Sequence, residues 1–139
     1  MDLGAGDGAL TAALTAAGAQ VLAVELHPAR LRQLRRRFAD DPRVRILELD
    51  LLQLRLPSRP FSVLANPPWS LAKPLIRMLT ARDSLLRQAD LVLQQGLVRD
   101  LADRGTIGRF RAEYRRAVPR HAFRPEPPGA AAVLRLSRR

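Results

Sequence analysis

The sequence predicts an α/β protein whose sheet is mostly parallel and ends with an antiparallel strand. Strand-like apolar runs alternate with helical patterns along the first hundred residues, and a glycine-rich turn occupies positions 4–8. The last two strand-like runs follow each other without a helix between them. Alternating strands and helices are typical of a parallel sheet, whereas two strands joined directly pair antiparallel.

The first half of the chain gives a clear order of elements. Residues 9–17 are small helix formers, and Gly18 is suited to end that helix. The apolar run 20–26 is typical of a strand buried on both faces of a parallel sheet. Pro28 suits the first turn of a helix that extends to about Phe38, with leucines at helical spacing among arginines.

The later elements are predicted from shorter apolar runs and from proline positions. The expected strands are 44–50, 61–65, 90–94, 110–118 and 130–136, and the expected helices are 74–81 and 97–102. A proline-rich turn joins the last two strands. The resulting alternation extends nearly to the end of the chain, with the final pair antiparallel.

The beginning of the predicted sheet is unusually short. Only Met1, Asp2 and Leu3 precede the glycine turn, although a strand needs about five residues. The chain is a fragment, its start codon is assigned too far downstream, or the first strand really is this short. We therefore expect one domain over residues 1–139, with a truncated first strand and upstream segment and without a C-terminal helical domain.

Composition limits the possible partners. The 139 residues carry 24 Lys+Arg against 13 Asp+Glu, which gives a net charge of +11. Such an excess indicates a polyanionic partner, with nucleic acid favoured over a membrane surface. The absence of cysteine excludes disulfides and thiolate metal sites, and no metal site is predicted. No run approaches the roughly 20 apolar residues of a membrane span, so we expect a soluble, cytoplasmic protein.

The glycine turn is the first motif with chemical meaning. Gly4 and Gly6 let the backbone approach a ligand closely, and Glu25, about 20 positions on, can accept hydrogen bonds from ribose hydroxyls. The spacing also satisfies the dinucleotide fingerprint, so NAD remains an alternative. Asp2 and Asp7 flank the turn, however, and would repel a pyrophosphate. Their charge suits the cationic groups of S-adenosylmethionine.

The second motif is the turn Asn66-Pro67-Pro68-Trp69 after a predicted strand. An aromatic amine is a poor nucleophile because its lone pair is delocalised into the ring. The Asn66 side-chain carbonyl and a rigidly held backbone carbonyl can accept its two N–H bonds, and Trp69 can stack on an extruded base. Asp50, at the end of another strand, can accept a hydrogen bond from an adenine amine.

Together these segments resemble the Erm/KsgA-type rRNA adenine N(6)-methyltransferases, and most of all the short actinobacterial Erm proteins. The resemblance extends nearly end to end. The matching segments are DLGAGDGALTAAL, VLAVELHPARL, FSVLANPPW, ADLVLQ and AFRPEPPGAAAVLRL. The resemblance implies a Rossmann-like methyltransferase sheet and S-adenosylmethionine as the cofactor.

The resemblance also implies roles for individual residues. The implied cofactor-binding residues are Asp2, Gly4, Gly6, Glu25, Leu26, Asp50, Leu51 and Asn66. Asn66, Pro67 and Trp69 are the implied catalytic residues. Phe123 would form a second aromatic wall for the target base, facing Trp69.

The resemblance further implies a substrate, namely one adenine in the peptidyl-transferase loop of large-subunit (23S) rRNA. Its methylation blocks macrolide, lincosamide and streptogramin B binding, and we expect a monomer that acts before ribosome assembly is complete. The basic stretch 109–124 is expected to contact phosphates.

Two alternatives remain open at the level of sequence. Family members usually have Ile or Leu at Pro67 and Tyr or Phe at Trp69, so this turn is closer to that of DNA adenine and other amine methyltransferases. The chain could also be a truncated RNA-binding remnant without activity, because the family's upstream Gln-Asn segment is missing.

Overall fold

One eight-stranded sheet organises the computed structural model, which describes all residues from Met1 to Arg139. The strands are β1 Asp2–Leu3, β2 Val21–Glu25, β3 Val44–Glu48, β4 Phe61–Ala65, β5 Leu86–Gln94, β6 Thr106–Ile107, β7 Phe110–Val118 and β8 Ala131–Arg138. Their spatial order is β3-β2-β1-β4-β5-β8-β7-β6. The predicted Rossmann-like α/β class is confirmed.

Four helices connect the strands. They are α1 Ala9–Ala16, α2 Pro28–Arg37, α3 Ala72–Leu79 and α4 Gln95–Arg104. Gly18 follows α1 with a φ of 87°, which agrees with its predicted role in ending that helix. Pro28 opens α2, where Leu31 and Leu34 are buried and the arginines are exposed. Only one face of α2 therefore packs on the sheet.

The first five strands form the parallel half of the sheet. β1 lies between β2 and β4 and pairs in parallel with both, even though it has only two residues. Leu3, Ala23 and Val24 have no exposed surface, as expected of strands covered on both faces. The strand order reverses beside β1, where α/β sheets usually form a ligand crevice.

The remaining strands form the antiparallel half. β8 lies between β5 and β7 and is antiparallel to both, which confirms the predicted final antiparallel strand. Asp90 on β5 is directly opposite Arg135 on β8. The guanidinium donates to both carboxylate oxygens, at 2.7 and 2.9 Å, and these bonds raise the pKa of Arg135. The ion pair fixes the register at the junction of the two halves.

Several element boundaries differ from the predictions, and one short strand was not predicted. β5 begins at Leu86 instead of residue 90, because its polar beginning is paired with β4 and β8. α3 begins two residues before Pro74, whose missing N–H is not needed in the first helical turn. The two-residue strand β6 is not evident from the sequence, since it forms only through its hairpin with β7.

The main hydrophobic core spans both halves of the sheet and contains 21 buried residues. A second cluster of five buried residues lies under α2. A Cβ atom at Gly8 would be 2.5 Å from the Phe38 ring and 2.9 Å from Leu34, so this part of the glycine turn packs directly on α2. No helix in the structure is both long and apolar enough to cross a membrane.

Candidate active site

A cleft of about 950 Å³ opens where the carboxyl ends of the parallel strands meet. Nine of the predicted site residues line it: Gly4, Glu25, Leu26, Asp50, Leu51, Asn66, Pro67, Trp69 and Phe123. Two predicted residues, Asp2 and Gly6, do not line it. The residues predicted from separate motifs therefore surround one cavity.

Backbone hydrogen bonds hold the glycine turn against the end of β2. The N–H groups of Gly4 and Ala5 both donate to the Val24 carbonyl, each at 2.9 Å. Gly4 and Gly6 have φ angles of 77° and 60°, in the region that side chains disfavour. Glycine is thus required at these positions by the turn itself.

Glu25 links the glycine turn to the loop after β2. Its Oε2 accepts from the Gly6 N–H at 2.7 Å. Its Oε1 accepts from the N–H groups of Leu26 and His27 at 2.9 and 2.8 Å. The side chain is only 7% exposed, so the carboxylate is fixed in position. Oε2 retains a lone pair for a ligand hydroxyl. The additional bonds from Glu25 to the turn could not be predicted from the sequence.

Asp2 lies behind the glycine turn and has no exposed surface. Its Oδ2 accepts from the Thr11 hydroxyl at 2.7 Å, while its Oδ1 has no hydrogen-bond partner. Burial raises the pKa of this carboxyl group above its usual range. An unpartnered buried carboxylate oxygen is costly unless a ligand or a water molecule satisfies it.

The ends of β2 and β3 contribute an apolar wall with a carboxylate beside it. Leu26 is 52% exposed within the cleft, which is unusual for a large apolar side chain. Asp50 caps the 3-10 turn Leu51–Gln53, and its Oδ1 accepts from the Leu52 N–H at 2.9 Å. The other oxygen, Oδ2, accepts no hydrogen bond within the chain. An apolar surface next to an acceptor suits an adenine ring and its amine.

The Asn66–Trp69 turn follows β4 and touches the glycine turn. The Asn66 side chain is exposed and has no hydrogen bond within the chain, whereas Pro67 is buried. A Cβ atom at Gly4 would be 3.6 Å from the Pro67 Cα atom, which is van der Waals contact. The predicted cofactor turn and the predicted amine-binding turn are therefore adjacent.

The proline-rich segment 123–129 closes the other side of the cleft. Phe123 lines the cavity with Trp69, and a Cβ atom at Gly129 would be 3.7 Å from the Trp69 ring. Arg120 supports the segment, since its Nη2 donates to the Pro127 carbonyl at 3.0 Å. The prolines of this segment were missed as lining residues, although the Phe-x-Pro-x-Pro pattern was a usable signal.

S-adenosylmethionine fits these residues. Asp2 places a carboxyl group directly behind the glycine turn, although it does not itself line the cleft. Glu25 retains acceptor capacity in the cleft, and the exposed Leu26 and the free Asp50 oxygen suit an adenine ring. The structure brings together no group of three or more His, Asp or Glu side chains that could hold a metal ion.

Comparison with known proteins gives a match over the whole chain. A family model described as ribosomal RNA adenine dimethylase matches residues 1–139. The ribosomal RNA small subunit methyltransferase A of Synechococcus sp. (strain JA-3-3Ab) is 35% identical over 155 residues, covering 100% of this chain and 55% of the relative. The mycinamicin-resistance protein MyrB of Micromonospora griseorubida is 35% identical over 147 residues, covering 100% of this chain and 46% of the relative.

The fold is also shared with a solved structure. The crystal structure of the 23S rRNA methyltransferase ErmE superposes with a TM-score of 0.86 at 27% identity. The alignment covers 99% of this chain and 60% of that protein. The chain spans about half the length of the curated relatives that it matches.

Proposed function

The chain belongs to the ribosomal RNA adenine dimethylase family, and on that premise we propose that it methylates the N6 amine of an adenine in large-subunit rRNA. The cofactor is S-adenosylmethionine. One observation carries the proposal: the Asn66–Trp69 turn lies so close to the glycine turn that a Cβ atom at Gly4 would be 3.6 Å from the Pro67 Cα atom. A methyl donor and an acceptor amine held by these two turns would be neighbours.

The side chain of Asn66 is the acceptor for one amine N–H. It is exposed at the cleft and carries no hydrogen bond within the chain. The Pro68 carbonyl is already used by the Leu71 N–H at 2.9 Å, so the Pro67 carbonyl is the backbone acceptor for the second N–H. Two acceptors in fixed positions draw the nitrogen towards tetrahedral geometry and direct its lone pair. Such positioning is worth about 7 to 11 kcal/mol when the reactants are held near attack geometry.

When bound, S-adenosylmethionine supplies an electrophilic methyl group: the N–C bond forms as the S–C bond breaks, and the amine proton leaves to water. The chain needs no general base because the methylated ammonium is strongly acidic. His27 lines the cleft but donates its backbone N–H to Glu25, which is a structural contact. Transfer is therefore direct, without a covalent intermediate on the protein.

The target base is held between Trp69 and Phe123. Both side chains line the cleft and are half-buried, so each retains ring surface for stacking. Taking a base out of its helix costs a few kcal/mol, and stacking on aromatic side chains offsets about 1–3 kcal/mol per base. The same aromatic pair excludes water from the amine.

Large-subunit RNA is the substrate favoured by the similarity to the 23S rRNA methyltransferase ErmE, whose structure superposes with a TM-score of 0.86. We propose that methylation of this RNA confers resistance to macrolides, lincosamides and streptogramin B, an assignment supported by the similarity to MyrB. We also propose that the chain acts as a monomer in the cytoplasm, on RNA not yet covered by ribosome assembly.

Small-subunit rRNA is the second candidate substrate. It is favoured by the 35% identity to the small-subunit methyltransferase of Synechococcus. A methyl-transfer assay with separate 23S and 16S transcripts distinguishes the two. Duplex DNA as a third substrate tests the alternative suggested by the Pro-Pro-Trp turn.

The decisive variant is Asn66→Ala. We expect methyl transfer to 23S transcript to fall by at least about 10²- to 10³-fold, the range seen when one positioning hydrogen bond is removed from an active site. Binding of S-adenosylmethionine, measured by calorimetry, should change little. Gln53→Ala is the matched control, because Gln53 is an exposed amide outside the cleft. Near-normal turnover by Asn66→Ala would sink the assignment.

A further inference from the structure

We propose that the outer edge of the sheet, formed by β7, binds the phosphate backbone of the RNA that flanks the target adenine. This inference rests on the proposed function and adds the surface along which the substrate lies. It follows from the charge of β7, from the direction in which the strand runs, and from an irregularity in its pairing with β8.

The charge on this edge is strongly one-sided. Residues 109–124 contain six arginines and one acidic residue, Glu113. Five of the arginines are exposed: Arg111, Arg115, Arg116, Arg120 and Arg124. Among these five only Arg120 has an acidic partner, Glu126, at 3.8 Å. The other four are available to an external anion.

The other basic stretch of the chain lies on and after α2, where two arginines have acidic partners. Arg35 there contacts Glu48 at 3.1 Å, and Arg43 contacts Asp41 at 2.9 Å. Asp41 has a lowered pKa because Arg43 donates hydrogen bonds to it. Four other exposed arginines of α2 have no acidic partner, namely Arg30, Arg32, Arg36 and Arg37. Both stretches therefore carry free positive charge, and what distinguishes β7 is its position relative to the cleft.

The arginine-rich strand β7 runs towards the cleft. β7 is antiparallel to β8, which is antiparallel to β5, so β7 runs in the same direction as β5. Its last residue, Val118, thus lies at the edge where the cleft opens. The 3-10 turn Arg120–Ala122 follows, and Phe123 then enters the cleft wall. The arginines form a row that leads to the aromatic site for the base.

The pairing of β7 with β8 is interrupted at Arg115. Tyr114 pairs with Leu134 and Arg116 pairs with Val133, which leaves Arg115 without a partner. Such a bulge redirects side chains and is common next to active sites. β6 covers only Phe110 and Arg111, so no strand pairs with the outer side of β7 beyond them. Adjacent guanidinium groups beside a bare strand edge provide a dense set of donors for phosphate.

A simpler role for these charges is protection of the edge against pairing with another chain. Charge of either sign would protect the strand edge, and it would be needed only along the strand itself. Here the exposed charges are all positive, and they continue past the end of β7 to Arg124, beside the cleft. Recognition of a polyanion explains both features.

The test is the double variant Arg115→Gln/Arg116→Gln. Affinity for a 23S rRNA transcript is measured over a series of salt concentrations, together with kcat and KM. Each lost phosphate contact lowers the slope of log affinity against log salt by about 0.7 to 0.9, so two contacts lower it by about 1.4 to 1.8. We expect KM for RNA to rise by about tenfold, with kcat at saturating RNA and the Kd for S-adenosylmethionine unchanged.

The matched control is Arg82→Gln/Arg87→Gln, which removes the same charge. Both residues are exposed and lie near the beginning of β5, at the end of the strands that faces away from the cleft. Equal salt slopes for the two double variants would overturn the inference. Self-association of the β7 variant in sedimentation, with an unchanged salt slope, would overturn it in favour of edge protection. If the unmodified chain methylates none of the rRNA transcripts, the proposed function itself fails.

Discussion

The two ends of the cleft are built in different ways. At the cofactor end, the glycine turn is held by backbone bonds to Val24 and by the buried carboxylate of Glu25. At the base end, the Asn66 side chain has no partner, and Trp69 and Phe123 are only half-buried. The glycine turn at the cofactor end is therefore held in place by bonds within the chain, whereas the base end offers groups that only the RNA can satisfy.

This difference follows from the elements that supply each end. The cofactor end stands on the carboxyl ends of parallel strands, which the core fixes from both faces. The base end includes the proline-rich segment 123–129, which lies outside the sheet and is supported by Arg120. Loops on a rigid scaffold are where related proteins change their substrates. Substitutions at the cofactor end should accordingly change the Kd for S-adenosylmethionine, whereas substitutions at the base end should change KM for rRNA.

The largest effect is expected from Glu25→Gln. The amide replaces an acceptor with a donor, so either the Gly6 N–H or the two N–H groups after β2 lose their partner. Leaving a buried donor unsatisfied costs about 1–3 kcal/mol. We expect the Kd for S-adenosylmethionine in calorimetry to rise about 100-fold, and the midpoint of thermal unfolding to fall.

Glu48→Gln is the control for this variant, because Glu48 occupies the matching register position on β3 and is exposed in a surface ion pair. Its effect on both measurements should be small. If Glu25→Gln binds the cofactor as the parent chain does, the cofactor end is not organised by this carboxylate, and the contrast between the two ends disappears.

The sequence was sufficient for the features that depend on local pattern. Phe61–Ala65 and Phe110–Val118 were predicted with the bounds that the structure shows, because each is an apolar run between turn signals. The cleft residues after the strands could be predicted too, since parallel strands end at one edge. Phe123 depended on the resemblance to a family, because nothing in its own surroundings distinguishes it from a core aromatic.

Features that depend on contacts between distant residues could not be predicted. The bond from Gly6 to Glu25 joins residues 19 positions apart and leaves no trace in either segment. The bulge at Arg115 depends on the register of β8, and the contact between Gly129 and Trp69 depends on the position of the proline-rich segment. These are the features in which the two ends of the cleft differ most.

An intermediate effect is expected from Gly129→Val at the base end. The Gly129 backbone lies outside the left-handed region, so a side chain there is not strained and the substitution tests space alone. Its Cβ would already touch the Trp69 ring at 3.7 Å, and the added methyl groups would displace that ring. We expect KM for rRNA to rise by about tenfold, which corresponds to about 1.4 kcal/mol, with cofactor binding unchanged.

A double-mutant cycle tests whether displacement of the Trp69 ring causes this rise in KM. Trp69→Tyr shortens the ring that faces Gly129, so the double variant Gly129→Val/Trp69→Tyr should recover most of the lost RNA affinity. Ala130→Val is the control, because Ala130 is the exposed neighbour. Strict additivity of the two substitutions would mean that the glycine does not set the space available to the tryptophan.

The smallest effect is expected from Asp2→Asn, which tests whether the buried Asp2 carboxyl group at the cofactor end lowers the free energy of unfolding. Burial raises the pKa of Asp2, so the folded chain keeps this proton at a pH where the unfolded chain, with an ordinary pKa of about 3.9, has lost it. The stabilising contribution of the protonated form is complete below the unfolded-state pKa and is lost as pH rises through the folded-state pKa. Above the folded-state pKa the parent chain carries a buried charge with one unpartnered oxygen.

The neutral amide retains an acceptor for the Thr11 hydroxyl and removes that charge. We expect Asp2→Asn to raise the free energy of unfolding by about 1 kcal/mol at a pH above the folded-state pKa of Asp2, and the gain to shrink as pH falls towards the unfolded-state pKa. Urea unfolding at several pH values measures this, and calorimetry should show weaker cofactor binding. If the variant is instead less stable than the parent chain above the folded-state pKa, Asp2 stabilises the fold. Its burial would then cost no free energy that a bound ligand could offset.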